Sequence, residues 1–157
     1  MATTRVDAVI DALVALITAD SAFTGVGVHD GAPVDDLVSF EEYLVVGGDD
    51  VFADEWHTAA TVDQGWHDLG SAAARDETVS VPCILEVYRG GDDLPTARAR
   101  AATLLGAVET LLRANRSLGL SDVFPQTEVA AASWRYRRSA DGVGVRVEFT
   151  IAVRSLL

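Results

Sequence analysis

The sequence contains no lysine, and several further absences narrow what the chain can be. Its 157 residues include no run of about 18 consecutive apolar residues, which argues against a membrane-spanning helix. Cys83 is the only cysteine, so an internal disulfide and a multi-cysteine zinc site are both excluded. A lone cysteine in an alternating apolar stretch is typical of a small buried side chain. The N-terminal residues lack the basic start of a signal peptide, so we expect a soluble protein made in a cytoplasm.

Negative charge dominates the composition, with a net charge of -12, and it is concentrated in the first half of the chain. Residues 1–77 hold sixteen acidic side chains against two arginines, whereas residues 78–157 hold eight against ten. A net charge of this sign repels phosphate backbones, which argues against ordinary nucleic-acid binding. The unequal halves give the chain the means to present two surfaces of complementary charge.

Hydrophobic periodicity predicts one α+β domain over residues 1–157, with a mainly antiparallel sheet of four to five strands and both helices on one face. The three-four spacing of a helical stripe covers residues 4–19 and recurs from Pro95 to about Asn115. Strands are predicted at five places: 26–30, 43–46, 78–89, 127–138 and 143–154. The last two form a hairpin around Asp141-Gly142, because residues 143–154 alternate strictly and this dipeptide favours a tight turn.

Two local features qualify this arrangement. Pro82 lies inside a predicted strand and cannot donate a ladder hydrogen bond, so we expect that strand to be at an edge or bulged. Residues 49–75 show weak periodicity, which predicts a long loop or arm; loops of this length in compact domains are usually functional or disordered. This segment carries Trp56 and Trp66. They pack either against a neighbouring molecule or against their own domain.

The sequence offers little that resembles a catalytic or metal site. His57 and His67 lie near acidic residues, but their spacing matches no zinc signature. A calcium site is the second metal hypothesis, built on four acidic residues that lack the alternation and glycine of a calcium loop: Asp49, Asp50, Asp54 and Glu55. A solvated acidic loop is the favoured interpretation. No nucleophile elbow, phosphate loop or acid–base pair is present, so we predict neither an enzyme nor a bound cofactor.

Taken as a whole, the chain resembles the tail terminator (tail completion, minor tail) proteins of long-tailed phages that infect actinobacteria. The resemblance rests on the order and spacing of five stretches: VGVHDG at 26–31, EYLVVGGDD at 42–50, LGSAAARDETVSVPCILEVYRGGDD at 69–93, ARARAATLLGAVETLLRANRSLG at 97–119 and GVGVRVEFTIAVRSLL at 142–157. It implies a structural virion protein that forms a ring, typically hexameric. Such a ring caps the tail tube, stops its elongation and joins it to the head connector.

The resemblance implies several partners: further copies of the chain, the tail tube protein and a head-closure or connector protein. DNA would pass through the lumen without specific binding. Candidate subunit or lumen interface residues are Asp49, Asp50, Asp54, Glu55, Trp56, Trp66, Arg135, Arg137 and Arg138. Two alternatives stay open. One is another neck protein, such as a head-closure subunit; the more distant one is a ligand-binding or enzymatic domain whose 49–75 loop covers a pocket.

Overall fold

The computed structural model describes residues 4–34, 41–51, 55–69, 72–121 and 123–156. Within these ranges the chain forms two helices, a short 3-10 turn at Ser21–Phe23 and six strands in one sheet. The helices are α1 (Val6–Ala19) and α2 (Leu94–Ala114), and the strands are β1 (Gly27–Asp30), β2 (Glu42–Val46), β3 (Thr61–Leu69), β4 (Ala72–Arg89), β5 (Val123–Ser139) and β6 (Gly142–Leu156). The α+β prediction is confirmed, with one strand more than expected.

The sheet has the order β1-β2-β4-β6-β5, and β3 pairs with β4 on the same side as β2. β1 and β2 run parallel, and every other pair is antiparallel. Both helices pack on one face, because a single apolar cluster includes Leu13 of α1, Leu104 of α2 and Leu85 of β4. We call this the helix face of the sheet and the other the open face.

A carboxylate accepts a backbone hydrogen bond at the start of each helix. At the start of α2 the Asp93 carboxylate accepts a hydrogen bond from the Thr96 amide at 3.1 Å, with Pro95 in the first turn. At the start of α1, Glu77 of β4 accepts from the Arg5 amide at 2.7 Å. A buried carboxylate there also suits the positive end of the helix dipole.

The prediction of a long loop at 49–75 is wrong for the second part of this segment, because residues 61–69 form β3 and pair with residues 72–80 of β4. We call this two-stranded ribbon the arm. β6 reaches only as far as Asp76, so the end of the arm extends beyond the rest of the sheet. Its β3 side chains are exposed on both faces from Thr61 to Trp66, which is why no hydrophobic alternation marks this strand in the sequence.

Pro82 does not lie at a sheet edge, so that expectation is also wrong, and the structure shows why proline is tolerated. On one side of the central strand β4, β2 ends opposite Cys83 and β3 begins opposite Ser80. The two strands therefore leave a gap opposite Pro82. Its carbonyl oxygen accepts from the Gly47 and Gly48 amides at 2.9 and 3.2 Å. Because amide and carbonyl of one residue point the same way in an antiparallel strand, its nitrogen faces this gap and no ladder bond is lost.

The predicted β5–β6 hairpin is confirmed, with its turn at the expected place. Gly142 has a φ of +143°, and a Cβ there would lie 2.1 Å from the Arg89 carbonyl oxygen. Only glycine permits such a close approach of two backbones. Along β6 the buried residues on the helix face are those that alternate in the sequence: Val143, Val145, Val147, Phe149, Ile151 and Val153.

Candidate subunit interface

The outer strand β5 is uncovered over its second half. Residues 130–139 are all exposed, although each strand residue there except Ala130 is in register with β6. Trp134 and Tyr136 lie opposite Val147 and Val145, so they are on the helix face, yet they stay 43% and 67% exposed. Two large aromatic side chains on a free sheet edge are unusual for a surface that meets only water.

The three arginines of the predicted basic cluster flank these aromatic side chains. Arg135 and Arg137 are on the open face, and Arg138 is on the helix face. The Arg135 guanidinium lies 3.6 Å from the Glu148 carboxylate, and that of Arg137 stacks over the Tyr88 ring at 4.9 Å. Each guanidinium carries five N–H donors, so one intramolecular contact leaves most of them free to meet a partner.

Arg138 is tied to the loop before α2, where its Nε lies 2.9 Å from the Asp92 carboxylate. Both side chains of this pair are more than half exposed, so it contributes little to stability. The acidic partners of the cluster that the structure records, Glu148 and Asp92, both come from the second half of the chain. The recorded ion pairs of the basic cluster therefore do not involve the acidic first half of the same molecule.

The arm carries the second candidate group. Trp66 is opposite Arg75, on the helix face, and is 73% exposed, with the Arg75 guanidinium 5.7 Å from its ring centre. Asp63 is opposite Thr78, on the open face. Gln64 donates to the buried Glu77 carboxylate at 2.6 Å, which ties the arm to the start of α1.

The predicted acidic loop is exposed, as far as the structure describes it. Asp49 accepts from the Thr58 amide at 3.1 Å, and the Thr58 hydrogen bonds lower the pKa of its carboxyl. Glu55 is exposed, and Trp56 is fully exposed, so packing against its own domain is wrong for this tryptophan. Asp50 is also exposed, and its carboxylate accepts a hydrogen bond from the amide of Val51. Asp54 lies outside the described residues.

A charged cluster lies on the open face at the centre of the sheet. Glu86 is buried and accepts from the Arg146 Nε at 2.8 Å. Burial raises the pKa of the neighbouring Tyr43 hydroxyl, and the negative charge of Glu86 raises it further, so the tyrosine stays neutral. These groups satisfy one another, which makes the cluster a structural element of the sheet.

The structure gives no support for a catalytic or metal centre in the part of the chain that it describes. Cys83 is buried, and burial raises the pKa of its thiol to about 12, so it is unreactive at neutral pH. The His57 Nδ1 lies 3.4 Å from an Asp49 oxygen, but no cluster of three metal-binding side chains occurs among the described residues. Neither described helix is long and apolar enough to cross a membrane.

The sequence named the three arginines and two of the three tryptophans as interface candidates, and the structure adds Trp134 and Tyr136 to these candidates. The missed signal is the stretch SWRYRRS at 133–139, where aromatic and basic residues alternate instead of apolar and polar ones. A strand with that pattern presents amphipathic rings on one face and charge on the other, which is typical of interfaces.

Comparison with known proteins supports the fold. No protein-family model matches the sequence, and no curated protein matches it. Among solved structures, a chain from the virion of a native gene transfer agent (GTA) particle is similar over 99% of this chain and 100% of its own length. The TM-score is 0.61 and the sequence identity is 19%, so the likeness concerns the fold.

Proposed function

We propose that this protein is a structural subunit of a tailed-phage virion, and specifically the tail terminator, which forms a ring on the end of the tail tube. The observation that carries the proposal is the full-length fold likeness to a chain of a virion particle. The likeness extends over nearly all of both chains and is not confined to a shared fragment. The sequence resemblance to tail terminators agrees with it.

The surface of the subunit is suited to a closed ring. A ring needs two different surfaces on one subunit, because each copy contacts the next head to tail. Three strands of the described sheet, β1, β3 and β5, have a partner on one side only, and two of these edges carry opposite charge: Arg135 and Arg137 lie on β5, and Asp63 lies on the arm. Exposed tryptophan at Trp66 and Trp134 adds the aromatic side chains that dominate binding energy in many interfaces.

The experiment that tests this role is immunogold electron microscopy of intact virions with an antibody raised against the purified protein. Label confined to the head–tail junction supports a neck protein. Headless tails then separate the terminator, which stays on the tail, from a head-closure protein, which does not. No label on any particle, with an antibody that binds the native protein, would contradict the structural role.

The acidic loop has a role of its own in this proposal. A negative lumen repels the phosphates of DNA in transit, so DNA passes without binding. Reversing the charge of several loop residues should therefore slow or stall DNA ejection from assembled virions; the residues are Asp49, Asp50, Asp54 and Glu55. Unchanged ejection kinetics in such virions would contradict a lumen position for this loop.

A further inference from the structure

We infer that the free edge of β5 in one copy binds the free edge of β3 in a second copy, so that neighbouring sheets join edge to edge. This inference rests on the proposed ring and names its contact. Both edges lack a strand partner within the described chain: β5 pairs only with β6, and β3 pairs only with β4. Exposed strand edges carry unpaired amides and carbonyls that are a template for another strand.

Strand direction is compatible with this pairing. β3 and β6 run one way, and β4 and β5 run the other way. Rotation about a ring axis keeps an upward strand upward, so β5 of one copy and β3 of the next run antiparallel. The alternation of the sheet then continues across the contact in the geometry of an antiparallel ladder.

The side chains on the two edges match face by face. On the helix face, Trp134 and Tyr136 of β5 meet the side of the arm that carries Trp66. On the open face, Arg135 and Arg137 meet the side that carries Asp63. When the helix faces of both copies lie on the same side of the joined sheet, aromatic side chains thus meet an aromatic one and basic side chains meet an acidic one.

The same charges disfavour the simplest competing contact. An isologous β5–β5 dimer would bring two copies of the arginine cluster onto one edge, with like charges adjacent. Like-charge juxtaposition across an interface costs several kcal/mol and suppresses the wrong partner. The charge pattern therefore selects the head-to-tail contact, which is the kind that closes into a ring.

The two edges lie at different heights on the sheet. β3 is level with Ala72–Ser80 of β4, whereas residues 131–138 of β5 are level with Pro82–Arg89. Joined copies must therefore be staggered along the strand direction. A stagger of this kind inclines the strands to the ring axis, as it does in closed barrels.

Cysteine cross-linking tests the contact directly, because the native Cys83 is buried and the chain has no lysine to react with maleimides. Ser133→Cys labels the β5 edge and Gly65→Cys labels the arm, both on the open face, and the two positions are opposite each other when Arg135 is opposite Asp63. A side chain at Gly65 has open space around it. One variant carries a mass tag, and a short bismaleimide is added at a concentration at which the unmodified protein assembles. We expect linkage between the two variants in a mixture and none in either variant alone.

Self-linkage of Ser133→Cys would overturn the inference in favour of an isologous contact. Absence of any linked product in an assembled sample would also overturn it, and so would an unmodified protein that stays monomeric at millimolar concentration. Rings with no such cross-link would leave the proposed function intact and remove only this contact. Immunogold label absent from virions would remove the function instead.

A charge swap gives an independent readout by sedimentation velocity. Arg135→Glu/Arg137→Glu should weaken self-association by roughly tenfold or more, and adding Asp63→Arg to the same chain should restore part of it. The matched control is Arg98→Glu, an exposed arginine that lies on α2 and on neither edge strand, which should assemble normally. Equal weakening by the control, or no rescue by Asp63→Arg, would contradict the contact.

Discussion

Strands β4 and β5 both pair with β6, but they differ in how far their side chains are buried. β4 is buried on the helix face from Glu77 to Val87 and has strands on both sides. β5 is paired with β6 over a similar length, but its residues 130–139 are exposed on both faces. Pairing alone therefore does not bury a strand; a helix above it and a strand beyond it do.

This difference separates two roles within one sheet. β4 holds the core together, and the free half of β5 is available for another molecule. Substitutions in β4 should therefore act on the free energy of unfolding, and substitutions in the free half of β5 should act on self-association. The following predictions test that division in order of decreasing effect on stability.

The largest effect is expected for Leu85→Ala in β4. Leu85 is fully buried between Leu44 of β2 and Val147 of β6, so its truncation leaves a cavity. We expect a loss of about 2–5 kcal/mol in the free energy of unfolding, measured by chemical denaturation. The matched change Arg135→Ala in β5 should stay within about 0.5 kcal/mol of the unmodified protein. Similar losses in both variants would break the comparison.

A smaller, pH-dependent effect is expected for Glu42→Gln. The hydrogen-bonded guanidinium of Arg100 lowers the pKa of the Glu42 carboxyl, with a further contribution from Arg89, against the opposing effect of burial. A lowered pKa in the folded state stabilises the protein above the unfolded pKa, and this stabilisation is lost as the pH falls through the folded pKa. Glu42→Gln should therefore cost about 1–2 kcal/mol near pH 7.

The difference between Glu42→Gln and the unmodified protein should shrink as the pH is lowered below about 4, where glutamate begins to bind protons. Thermal unfolding of both proteins across this pH range measures it, and the subtraction removes the shared effect of the other carboxyl groups. If the difference did not change with pH, the Glu42–Arg100 ion pair would not account for the difference in the free energy of unfolding.

The smallest effect on stability is expected for Trp134→Ala in β5. The side chain is partly exposed on a free edge, so we expect a loss below about 1 kcal/mol, as for most surface substitutions. Self-association should weaken much more, because aromatic anchors carry a large share of interface energy. A variant that unfolds early but assembles normally would reverse the roles assigned to the two strands.

The sequence predicts correctly those helices and strands that bury one of their faces in the core. β6 and both helices show clean periodicity because alternate or three-four positions contact one core, and their predicted bounds agree with the structure to within a few residues. The arm was not recognised as a strand because Thr61–Trp66 are exposed on both faces, so no apolar pattern forms. Pro82 was misplaced because the gap between β2 and β3 arises from distant segments.

The candidate interface was predictable in composition but not in position. Charge asymmetry and exposed-loop tryptophans pointed to the arginines and to Trp66. Only the register with β6 shows that Trp134 and Tyr136 share the helix face, and that the arginines beside them face the other way. Face assignments of this kind depend on strand pairing, and pairing is a property of the folded sheet.

The length of β4 has a mechanical consequence. This single strand runs from the arm to the residues just before α2, and it is hydrogen-bonded to β6 along Asp76–Arg89. A pull on the arm parallel to β4 loads all of those hydrogen bonds together, in shear, whereas a perpendicular pull would open them one after another. The subunit is therefore stiffest along its strands, and tension applied at one end of the sheet is carried to the other without unzipping it.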